Sequence, residues 1–207
     1  MTASRPRDGR MRVPLNGGIG MKRTNRIHDI AYIALFTALL AICAWIAVPV
    51  SIPFTLQTAA VFLAVGLLGW RRGTIAVAVY ILLGALGAPV FSGFRGGFGV
   101  LLGATGGYIF GFLPAAAVSG AIMDRFGRKM WVMLGAMALG MIICYLFGTA
   151  WFVWVYMRSA KEMGFFGALG ICVVPYLLPD ALKLLLAAWL TTRLRGRIGV
   201  ATNETAA

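Results

Sequence analysis

The chain has 207 residues, of which 60% are apolar and only 12% charged, with 19 Lys and Arg against 6 Asp and Glu for a formal net charge of +13. Soluble domains run roughly 45–50% apolar and about 25% charged, so most of this chain cannot face water and a cytosolic globular enzyme is disfavoured. The basic residues lie in short groups between long uncharged stretches. That is the pattern of membrane-protein loops, not of a nucleic-acid binder, which gathers its charge on one polar face.

Residues 1–28 form a basic tail with no short apolar segment and cleavage site, so they do not read as a secretory signal. Their charge suits a topogenic role or contact with anionic membrane lipids. About 20 apolar helical residues cross a bilayer core, and charge-free runs place spans at Ile30–Val50, Phe54–Trp70, Gly73–Ala88, Val100–Met123, within Met130–Met157, and at Phe165–Thr192. The runs are continuous, not alternating, which disfavours barrel strands. The expected class is an all-α integral membrane protein, with a six-helix domain over 29–195 and a C-terminal tail over 196–207. Segments on one side of these spans hold fifteen Lys and Arg and those on the other side three, Arg95, Arg158 and Lys161. This positive-inside bias places both termini in the cytoplasm.

Several chemistries are absent. No GxxxxGK[ST] occurs, so the chain carries no P-loop. His28 is the only histidine and sits at the membrane edge, leaving no His-based nucleophilic site and no HExxH metal site. No metal or cofactor is expected. Cys43, Cys144 and Cys172 stand singly in apolar runs and read as small core hydrophobes. Binding is better supported than catalysis.

Asp180 and Lys183 are the sharpest feature. A charge near the bilayer centre costs at least about 2.5 kcal/mol on insertion scales, so such residues are functional by default. Their spacing of three puts both on one helix face. Pro175 and Pro179 open the helix just before them, as in discontinuous substrate-binding helices. The alternative is an ion pair that only joins helices. A glycine-dense stretch, Gly84 to Gly111, holds ten of the 27 glycines. Its Pro89–Gly99 part is expected to be a structured outer loop whose N–H groups, with Arg95, can cradle an anion or cap a pocket. Gly103, Gly106, Gly107 and Gly111 are equally explained by close helix packing. Between the first two spans, Ser51–Thr58 is expected to form a re-entrant turn presenting Thr55 and Gln57 inward. Ala31, Ala34, Ala38 and Ala41 make a stripe of small residues on the first helix that admits a close neighbour, from this chain, a second copy or a partner.

The segments IPFTLQT (Ile52–Thr58), GAPVFSGFRGGFGVLLGATGGYIFGF (Gly87–Phe112) and Asp180-x-x-Lys183 closely resemble the BioY family, over about Ile30–Arg195. These are the biotin-binding S components of energy-coupling-factor (ECF) transporters. The resemblance implies a six-helix S-component fold that binds biotin at its outer side. A T component and two ATPase subunits would supply the energy, although members are also reported to act without a dedicated module. It assigns Asp180 and Lys183 to the bicyclic ring, whose ureido group offers N–H donors and a carbonyl acceptor. Arg95, Gln57 and Tyr108 are candidates for the valerate carboxylate. Ala34 and Ala38 match the AxxxA surface that docks on the T component. An S component for another vitamin, a solitary facilitator and a membrane enzyme using Asp180 and Lys183 are the competing readings.

Overall fold

The computed structural model describes residues 18–48, 54–157 and 165–195. The first 17 residues, Ser51–Pro53 of the expected re-entrant turn, Arg158, Lys161 and the tail from 196 onward lie outside the described residues, as does the side chain of Cys172.

Helix α1 (Gly18–Trp45) ends five residues before the expected Val50. Pro49 pushes Val48 toward extended backbone, and the chain forms a two-residue ladder there. In it β1 (Ala47–Val48) pairs antiparallel with β2 (Phe54–Thr55), Ala47 opposite Thr55. The second span therefore enters as strand, and its helix starts at Gln57.

Helix α2 (Gln57–Ala85) is broken at Gly69, whose φ of 84° and ψ of 173° fall outside helical space. Residues eight apart in an unbroken helix would be about 12 Å apart. Here a Cβ on Gly73 would stand 2.7 Å from the Cα of Val65, so the chain folds back and the two arms pack on one another. These arms are the expected second and third spans, divided at Arg71 and Arg72. The new helix start is capped from another element. Trp70 N–H donates to Asp124 Oδ2 at 3.0 Å, and Asp124 also pairs with Arg128. A carboxylate at a helix N-terminus satisfies orphan donors and complements the dipole. Arg72 reaches Asp29 of α1 at 3.0 Å.

Helix α3 (Phe98–Leu101) is a single turn, followed by α4 (Gly106–Phe126). The fourth span thus begins at Gly106, six residues after the expected Val100. A Cβ on Gly106 would strike the Leu101 carbonyl, so the chain doubles back between α3 and α4. Helix α5 (Met130–Met157) follows, then α6 (Phe165–Cys172), a 3₁₀ turn (Val174–Tyr176) and α7 (Leu177–Arg195). Pro175 lies within that 3₁₀ turn, so the last span opens there, whereas Pro179 sits in the first turn of α7 and does not break it.

Five helices among the described residues are long and apolar enough to cross a membrane, and α2 is one of them. Counting its arms separately, the apolar helical segments number six. Helix α4 packs against α5 and α2, while α1 and α7 pack on α2. Glycine permits the tightest of these approaches: a Cβ on Gly111 would lie 3.2 Å from the Cys144 carbonyl, and one on Gly107 would meet Trp151. Those two serve helix packing as expected. Gly103 instead sits in the α3–α4 turn beside Val100 and Gly99. Large apolar side chains such as Leu35, Ile42, Leu82, Ile142 and Leu182 stay exposed on the outer helix faces, a surface suited to lipid and not to water.

Candidate binding pocket

One end of the bundle holds a pocket of about 800 Å³, mouth included, lined from β2, α2, the 91–105 segment, α4, α5, the 3₁₀ turn and α7. Phe54, Phe91, Ile109, Phe112 and Met141 supply apolar surface, and Asp180, Lys183 and Arg95 its charge.

Asp180 is 6% exposed and Lys183 5%. Lys183 Nζ donates to Asp180 Oδ1 at 2.8 Å and lies 3.5 Å from the Phe54 ring centroid. Both sit on the first turns of α7, which the proline-bearing 3₁₀ turn reorients. The Phe54 face gives the ammonium a second electrostatic partner. Asp180 Oδ2 accepts from the Tyr145 hydroxyl of α5. Each carboxylate oxygen has thus taken one donor and retains further acceptor capacity. Tyr145 was not singled out in the sequence. A tyrosine in mid-span, whose hydroxyl needs a partner when buried, was the signal for it.

Gln57 and Thr55 are buried on the pocket wall as expected, but their polar atoms are engaged. Thr55 Oγ1 donates to Gln57 Oε1 at 2.9 Å, Gln57 Nε2 donates to the Tyr80 hydroxyl, and that hydroxyl donates to the Val90 carbonyl at 3.1 Å. This relay joins the start of α2 to the outer loop. The loop has a second tie at Trp45, whose indole N–H donates to the Pro89 carbonyl at 2.9 Å and whose ring stacks on Phe94 at 4.8 Å. The Phe91–Arg95 bridge closes it. Pro89–Gly99 is therefore structured, as the glycine content implied.

Arg95 lines the mouth from this loop and is exposed. Its Nε donates to the Ser92 carbonyl at 3.3 Å, which orients the guanidinium. Tyr108 lines the pocket with its hydroxyl 3.0 Å from Thr149 Oγ1. Thr58, Tyr176 and Cys144 are further wall residues that sequence reasoning missed. Cys144 is buried at the pocket as well as against α4, so it is more than core filling. Ala31, Ala34 and Ala38 face outward, away from the pocket, whereas Ala41 turns into the core. The stripe is thus three alanines long, not four. Among the described residues no His, Cys, Asp and Glu group is arranged to hold a metal.

Known proteins share this fold. A solved structure, the S component for biotin from an ECF-type ABC transporter, superposes with a TM-score of 0.75 at 25% identity, covering 84% of this chain and 93% of its own. The biotin transporter BioY of Thermotoga maritima is 40% identical over 162 residues, 78% of this chain and 92% of that protein. The probable biotin transporter BioY of Pyrococcus horikoshii is 37% identical over 172 residues, 83% and 98% of the two chains. Residues 19–199 match the BioY family as a whole, and the chain belongs to that family.

Proposed function

We propose that this chain binds biotin in the pocket and carries it across the cytoplasmic membrane as the substrate-specific component of an ECF-type transporter. The observation that carries the reading is the buried Asp180–Lys183 pair on the pocket wall. An acceptor stands beside a donor there, as an N–H stands beside the C=O in a ureido ring. The apolar wall of Phe54, Phe91 and Phe112 suits the thiophane ring and valerate chain. Arg95 at the mouth is the carboxylate's partner, since guanidinium forks match carboxylates. Gln57 and Thr55, with their polar atoms already paired, shape the wall, and Tyr108 contributes its ring.

The two arms of α2 count as separate crossings, making six spans with both termini in the cytoplasm. The domain boundaries are 29 and 195. The chain is not an enzyme: its energy comes from a T component and two ATPases, with Ala34 and Ala38 on the docking face. Calorimetry on detergent-purified protein tests the reading. Biotin binding without intrinsic ATP hydrolysis is the expected result, and absence of binding would sink it.

A further inference from the structure

The Thr58 hydroxyl is a loose end in the pocket wall. Its Oγ1 is fully buried and has no hydrogen-bond partner among the described residues, yet Thr58 lines the pocket. A helical threonine ordinarily satisfies its hydroxyl on the carbonyl four residues back. Thr191 does so, donating to the Ala187 carbonyl at 2.7 Å. Thr58 stands in the first turn of α2, and the residue four back, Phe54, belongs to the extended strand β2, so that partner is out of place. A buried hydroxyl left unpaired is costly, and such exceptions call for an explanation. Thr74 also has a buried unpaired hydroxyl but does not line the pocket.

The chemistry of the ligand supplies the explanation. In a five-membered cyclic urea the two N–H bonds flank the carbonyl and diverge. One carboxylate can accept only one of them while a neighbouring ammonium takes the carbonyl. With Asp180 on the first N–H and Lys183 on the carbonyl, the second N–H points away from the α7 pair and needs an acceptor on another wall. Resting on the biotin reading above, we propose that Thr58 is a specificity-determining residue whose Oγ1 accepts the second ureido N–H. The hydroxyl, fully buried in the wall and unpaired there, reaches the seated ring by a turn about χ1.

The test measures the affinity of full-length protein in detergent for biotin and for biotin methylated at one or the other ureido nitrogen. Thr58→Val keeps the side-chain shape and removes the hydroxyl, and Thr58→Ser keeps the hydroxyl. Biotin affinity should fall on the order of ten- to a hundredfold in Thr58→Val and stay within about threefold in Thr58→Ser. The ligand-free melting temperature of Thr58→Val should hold or rise, because an unpaired buried hydroxyl has gone. The valine variant should also lose discrimination against one methylated isomer only, the one blocked at the nitrogen Thr58 reads. If Thr58→Val does not fold, Thr58→Ala carries the same comparison. Wild-type protein that binds no biotin would overturn the underlying reading. Wild-type protein that binds, with Thr58→Val binding equally well, would overturn the role of Thr58 alone. An equal loss for biotin and both methylated forms would also overturn it, leaving Thr58 a packing residue.

Discussion

Tyr145 on α5 donates its hydroxyl hydrogen to the carboxylate of Asp180 on α7, while Lys183 holds the other carboxylate oxygen. Leu177 and Leu178, which open α7, are exposed and face away from the pocket. The tyrosine therefore sets where the pocket's only described acid points. Hydrogen bonds to charged groups contribute about 1.5–3 kcal/mol, so Tyr145→Phe should lower biotin affinity on the order of tenfold or more. Because the tyrosine acts through Asp180, the loss should shrink toward nothing when Asp180→Asn is already present. Titration calorimetry on both single variants and the double variant measures this coupling.

The charge pair is expected to serve ligand binding more than helix packing. Replacing both partners, Asp180→Leu with Lys183→Met, leaves no uncompensated charge, and such swaps of buried pairs are often neutral or stabilising. The double variant should reach the membrane with an unchanged or higher melting temperature and bind no biotin. Wild-type affinity in that variant would leave the pair structural.

Gly73 tests the reversal inside α2. A side chain there meets Val65 backbone at 2.7 Å, and backbone cannot yield as a side chain can. Gly73→Val should therefore destabilise the protein by about 1–3 kcal/mol, the usual range for overpacking. Gly135 on α5 is the control, because a Cβ there meets nothing within 4 Å. Gly135→Ala should be neutral or stabilising by up to about 1 kcal/mol. Thermal unfolding in detergent compares the two.

Ala34 and Ala38 face outward from α1 and do not line the pocket. Changing both to Trp should abolish biotin uptake by cells that rely on the transporter, while purified protein keeps its biotin affinity. Loss of affinity instead would mean that this face of α1 supports the pocket.

Composition and charge alone determined the class of this protein and the end of each long apolar run. Burying so many apolar residues requires lipid, and interspersed arginines cannot enter it. Asp180 and Lys183 were legible for the same reason: charge in an apolar helix stands out without any coordinates. Local pattern could not reveal what depends on a distant partner. The helix break at Gly69 is held by Asp124, more than fifty residues away, and Tyr145 matters because α5 packs beside α7. Gln57 looked like a free amide, yet its hydrogen bonds run to Thr55 and Tyr80. Thr58, one residue further on, closed the expected re-entrant turn without being singled out, and its hydroxyl has no partner among the described residues. Hydrogen bonding is short-ranged and directional, so whether a polar group is spent or available is decided only once the chain has folded around it.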